Sequence, residues 1–188
     1  MQFAKDSFFL ALQKRLAGLN PARTVTISGA TIPAILVTEN MPPSSTEPLP
    51  NAFYVEWGTA AVVDGHAGNA ALMSVECAIS YYTLGTVQSM VDRGRVLGQL
   101  DDELLGICQP PNTEKYDYTQ APSADLGTRV FWNQPSFLEA TTSGVEDNTL
   151  AYQGRAVRRA IYTQAYQDGR IERRVALTVF FFSEVTLL

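Results

Sequence analysis

The stretch Tyr166–Val185, YQDGRIERRVALTVFFFSEV, decides how the rest of the chain is read. Asp168-Gly169 is a two-residue turn signal of the kind that joins antiparallel strands, and the residues after it alternate as a strand does. Ile171, Val175, Leu177, Val179 and Phe181 fall on one face, which has the composition of a core. The opposite face holds Arg174, Phe180 and Phe182 and is neither clean core nor clean surface. Pairing 156–166 with 170–182 across the turn sets Tyr162 against Val175 and Arg158 against Val179. It also adds Arg155, Arg159 and Ile161 to the mixed face. Such a strand is either central and covered by its own chain, with 107–150 as a cover, or is completed by another molecule.

Outside that stretch the chain reads as one globular domain of 188 residues, 46% hydrophobic and 18% charged. No run approaches the roughly 18 apolar residues of a membrane span, so no membrane partner is expected. The opening MQFAKDSFFLALQKRLAGLN suits an amphipathic helix better than a signal peptide, because Lys14 and Arg15 follow its apolar patch and no small-residue cleavage site appears. Cys77 and Cys108 make neither a disulfide framework nor a metal site and read as reduced, buried thiols of a cytoplasmic product. The net charge of −5 is uneven: residues 1–150 hold 8 Lys and Arg against 16 Asp and Glu, whereas 151–188 hold 6 Arg against 3 acids. That split implies a polyanionic partner or a matching acidic surface elsewhere.

Periodicity predicts a first helix from Asp6 or Ser7 to Gly18, with Phe9, Leu12, Leu16 and Leu19 on its apolar face. A hairpin of 24–27 and 31–37 follows, turning at Ser28-Gly29-Ala30, with Pro33 on an edge strand. Residues 39–51, with four prolines, form a loop. Strands follow at 52–59 and 73–83; the second sets Val75, Cys77, Ile79 and Tyr81 against Ser74, Glu76, Ala78 and Ser80. A second helix spans 87–105, its stripe made of Val87, Met90, Val91, Leu97, Leu104 and Leu105. Gly94 and Gly98 imply a close neighbour on that side. Residues 107–150 read as an extended, ordered arm with a strand at 128–132. The sum is an α+β fold: a single domain, 1–188, whose mixed, mainly antiparallel sheet has two helices on one face and long loop insertions.

No constellation for catalysis emerges, and no enzyme activity or cofactor is expected. His66 is the one histidine, Asp64 is its one nearby carboxylate, and no nucleophile motif or phosphate loop accompanies them. Arg155, Arg158, Arg159, Arg170, Arg173 and Arg174, with Tyr162 and Tyr166 between them, form the stripe a nucleic-acid-binding accessory protein would use. Against that stand the acidic total and the lack of lysine here, since arginine favours fixed, forked pairing with carboxylates.

The remaining class is assembly. Arg155, Arg159, Arg174, Phe180 and Phe182 would meet an acidic patch such as Asp101, Asp102 and Glu103 on an adjacent subunit, head to tail. The order of elements also carries a resemblance: amphipathic helix, hairpin, Pro-rich loop, MSVECAISYYT, the helix VQSMVDRGRVLGQLDDELL, then RVALTVFFFSEV. It resembles the tail-terminator and tail-completion proteins of tailed bacteriophages over about 1–37, 52–106 and 170–185. The resemblance implies a structural virion subunit made in the host cytoplasm, forming a ring, a hexamer in that family. The ring caps the tail tube and docks on neck and head-tail connector proteins, with DNA contact limited to passage through its lumen. A different neck, tail-tube or baseplate role is the alternative, because 107–150 makes this chain longer than compact members of the family.

Overall fold

The computed structural model describes residues 1–40, 48–63, 71–84, 90–109, 113–137, 151–152, 155–156 and 170–184. Its architecture is α+β, as expected. Helix α1 spans Gln2–Leu19 and α2 spans Met90–Ile107. Strands β1 (Thr24–Ile27) and β2 (Ala30–Pro33) form a separate hairpin, its turn made by Ser28 and Gly29 at φ of 50° and 83°. The expected second arm of that hairpin breaks after Pro33, and β3 (Ile35–Val37) enters the main sheet parallel to β4 (Phe53–Val62). The sheet continues with β5 (Leu72–Leu84), β6 (Thr113–Asp117), β7 (Ala124–Trp132), the short β8 (Ser136–Phe137) and β11 (Arg170–Phe182). Its spatial order is β3-β4-β5-β11-β7-β6, with β8 also on β11. Among the described residues the two-residue strands β9 (Ala151–Tyr152) and β10 (Arg155–Ala156) pair only with each other.

The opening stretch thus becomes a central strand. All thirteen residues of β11 pair antiparallel with β5, while Val175 and Ala176 also meet β8 and Val179 to Phe181 also meet β7. A strand has two edges, so Val175 and Val179 have no edge left for Tyr162 and Arg158. The hairpin register read from Asp168-Gly169 is displaced, because longer-range ladders compete with a local turn; residues 157–169 lie outside the described residues. The face assignment holds: Val175, Leu177, Val179 and Phe181 are buried against the helices. The stretch read as an arm supplies β6, β7 and β8 to the sheet, and 138–150 lies outside the described residues.

Helix α1 starts earlier than its candidate caps. Asp6 accepts a hydrogen bond from Gln2, and the Ser7 hydroxyl donates to the Phe3 carbonyl one turn back, so neither residue opens the helix. The buried stripe is Ala4, Phe8, Leu12 and Leu16; Phe9 is only partly covered and Leu19 is exposed. Phe8 stands edge-on to Trp57 of β4 and Trp132 of β7, with ring centroids at 5.6 and 4.9 Å. The same helix reaches both edges of the sheet. Gln13 Nε2 donates to the Ile35 carbonyl on β3 at 3.2 Å, and the Tyr116 amide on β6 donates to Ser7 Oγ at 2.9 Å. The sheet is therefore curled around α1, and two side chains of that helix satisfy backbone groups an open edge would leave bare.

Helix α2 packs Leu97, Leu100, Leu104 and Ile107 inward, with Leu105 only partly covered; Val87 lies outside the described residues. Nothing lies within 4 Å of the position a Cβ would take on Gly98, so the close approach expected there is absent. It occurs instead at Gly106, where Leu19 Cδ2 would sit 3.0 Å away. Glu103 joins the two helices: Arg23 grips it through Nε and Nη2 at 2.8 and 2.9 Å, and Asn20 Nδ2 donates at 2.7 Å. Burial opposes the charged carboxylate, but the hydrogen bonds from Arg23 and Asn20 outweigh it and hold Glu103 below its ordinary range. A group with a depressed folded-state pKa stabilises above its unfolded value of roughly 4.3, and that contribution is lost as pH falls through the folded value. Glu103→Gln is therefore expected to destabilise at pH 7 and to lose that penalty below about pH 4. Urea titrations of both proteins at the two pH values measure it, and a penalty independent of pH would refute the assignment.

Candidate functional site: the open face of the sheet

Alternation divides each central strand between two environments. Toward the helices go Phe53, Val55 and Trp57 of β4, Val75, Cys77, Ile79 and Tyr81 of β5, and the inward row of β11. Away from them go Tyr54 and Glu56, then Ser74, Glu76, Ala78 and Ser80, then Arg174, Ala176, Thr178, Phe180 and Phe182. No described helix or second sheet covers this outer face. A two-layer domain normally buries one sheet face and solvates the other with polar side chains, and part of this face departs from that pattern.

The outer face has two zones. At one end Phe180 stacks on Phe131 of β7, centroids 5.3 Å apart and planes 14° from parallel, and Phe182 beside them is 38% exposed. In the middle is a depression of about 440 Å³, lined by residues that include Glu56, Gly58, Glu76, Ala78, Arg174 and Ala176. The small side chains on β5 and β11 form its floor. Arg174 Nη2 reaches across them to Glu56 Oε2 at 2.8 Å. Both partners are well exposed, so the pair adds only about 0–1 kcal/mol to the fold. Glu76 is also exposed, and a Cβ on Gly58 would come within 3.0 Å of its Cβ and 3.1 Å of Oε2. Glycine at 58 is what leaves space beside that carboxylate.

The acidic end of α2 makes contacts within the chain. Asp101 accepts from the Tyr81 hydroxyl and pairs with Arg173 Nη1 at 3.1 Å. Burial, then the hydrogen bond to Asp101, pushes the Tyr81 hydroxyl well above its ordinary pKa. Glu103 is held by Arg23 and Asn20, and only Asp102 of the three is exposed. Two of the three acids are thus engaged inside the chain, by arginines that a reading of local charge cannot place. Arg174, Phe180 and Phe182 do share the outer face. Arg155 is described only as backbone in β10, and Arg159 lies outside the described residues, as do Asp64 and His66. Glu56 and Glu76 were not singled out from the sequence, although the alternation of MSVECAISYYT already put Glu76 with Ser74, Ala78 and Ser80.

Chemically the described residues offer contact surface. Both cysteines are buried, and burial pushes the Cys108 thiol up to about 12 and the Cys77 thiol higher still. Among the described residues no three of His, Cys, Asp or Glu gather as a metal site, and no helix is long and apolar enough to cross a membrane.

No protein-family model matches the chain, and no curated protein matches it. Among solved structures it is similar to a chain of the virion of a native gene transfer agent (GTA) particle. The two are 16% identical with a TM-score of 0.38, over 95% of this chain and 94% of that one, a loose likeness in overall layout.

Proposed function

We propose that the chain is a structural subunit of a phage-like virion, a tail-terminator or tail-completion protein. Its copies form a ring that caps the tail tube and docks on the neck. The observation that supports this reading is the outer sheet face, where Phe182 and the Phe131–Phe180 stack lie beside the Glu56–Arg174 pair. Aromatic anchors beside a charged rim are the usual make-up of a protein contact, and a stable one takes roughly 800 Å² from each partner. The order of elements along the chain supports this class of assembly. The loose likeness to the GTA virion chain belongs to the same world of particles but does not carry the reading.

Native mass spectrometry of the purified chain, alone and with tail-tube and neck proteins, tests it. A closed ring is the expected species; a monomer that none of those partners converts would sink the proposal. Phe182→Asp is expected to abolish the ring while leaving the chain folded, with a thermal midpoint lower by no more than about 4–8 °C, since Phe182 is already 38% exposed and only part of its apolar burial is lost. An intact ring in that variant would remove Phe182 from the contact.

A further inference from the structure

We propose that the depression around Glu76 receives arginine side chains from residues 155–159 of a second copy of the chain. This rests on the ring reading above and names the contact through which neighbouring copies meet.

The depression holds two carboxylates, Glu56 and Glu76, and one guanidinium, Arg174, which is committed to Glu56 at 2.8 Å. Glu76 has no hydrogen-bond or ion-pair partner among the described residues, and the space beside it is kept open by Gly58. At the end of α2, Asp101 is engaged by Arg173 and Glu103 by Arg23, which leaves Asp102 there for a basic neighbour. The sheet thus offers an acidic site with a shaped depression beside it, which the end of α2 has not been shown to have. A flat guanidinium suits a floor of Ala78 and Ala176 and forks onto a carboxylate at the rim, which a lysine cannot do.

The complementary charge is written in the chain itself. Residues 155–159 read RAVRR, three arginines in five positions, within a C-terminal part that holds 6 Arg against 3 acids, whereas residues 1–150 are strongly acidic. A head-to-tail ring requires each copy to carry two different patches, one that receives and one that is received. Glu76 with its depression is the first and the RAVRR segment is the second.

Charge reversal with mixing tests this. Two chains are made, one with Glu76→Arg and one with Arg158→Glu and Arg159→Glu, and a third carries all three changes. Each of the first two alone is expected to weaken self-association at least about tenfold, the loss seen when one member of a close interfacial charge pair is removed. Mixed in equal amounts they are expected to form assemblies of alternating copies in native mass spectra, because every contact then has opposite charges again. The triple variant is expected to assemble alone. Glu76→Gln, a milder change, should weaken association without reversal, and thermal midpoints near wild type certify that each variant is folded. Wild-type-like assembly of the Glu76→Arg chain would overturn the proposal while leaving the ring intact. Rescue in the triple variant without rescue in the mixture would overturn the second copy as the source of the arginines and assign the contact to a single chain. A wild-type chain that forms no ring would instead defeat the reading on which the proposal rests.

Discussion

Phe8→Ala is expected to lower the thermal unfolding midpoint by roughly 6–20 °C, the largest stability effect of any single change considered for this fold. Phe8 is fully buried between Trp57 and Trp132, which stand on strands β4 and β7 with β5 and β11 between them. Removing a buried phenyl ring costs about 3–5 kcal/mol, part for lost transfer and part for the cavity that remains. For a domain of this size each kcal/mol moves the midpoint by roughly 2–4 °C. Circular dichroism melts of both proteins measure the shift. Phe9→Ala one residue along is the control, because Phe9 is only partly covered and should cost much less. Equal shifts for the two would show that α1 is rotated from the orientation described.

Arg15→Ala is expected to cost about 2–4 kcal/mol, unusual for a residue with a polar head. Arg15 Nη1 donates to the carbonyls of Ile107 and Gln109, at 2.7 Å each, where α2 ends and its last carbonyls lack helical partners. Its guanidinium also lies 5.0 Å from the centre of the Trp132 ring, whose Nε1 donates to the Cys108 carbonyl at 2.8 Å. One side chain thus closes a helix terminus and shields an indole. Arg15→Met keeps apolar bulk on that ring but leaves the carbonyls bare, and is expected to recover under half of the loss. Full recovery by methionine would mean that packing alone accounts for Arg15.

Much of this layout was legible in the chain, and the failures share a cause. The alternation of MSVECAISYYT and RVALTVFFF placed Cys77, Ile79, Val175, Val179 and Phe181 on the buried face, because period 2 is a local property that sheet pairing preserves. Strand neighbours were not legible. Asp168-Gly169 proposes a local partner for β11, yet β5, some hundred positions earlier, takes one edge of all thirteen residues, and β8 and β7 take the other at Val175, Ala176 and Val179 to Phe181. The stripe of α1 was misplaced because one buried member, Ser7, is polar and another, Ala4, is too small to mark a face by itself. Ser7 is tolerated inside since its hydroxyl donates to Phe3 and accepts from Tyr116, a partner 109 residues away. The partners of Asp101 and Glu103 were invisible for the same reason. The outer face was half visible: Phe180, Phe182 and Arg174 were placed together, while Glu56 and the open space at Gly58 needed the fold.

The central position of β11 has a consequence for the order in which a functional surface comes into being. During synthesis from N- to C-terminus, β4 with β5 and β6 with β7 emerge as two separate pairs, each with one inner edge unsatisfied. Only when β11 arrives does it join them, and the same strand delivers Arg174, Phe180 and Phe182 to the outer face. A chain interrupted before that point has neither a continuous sheet nor a finished outer face. Arrival of β11 thus closes the sheet and finishes its outer face in a single step.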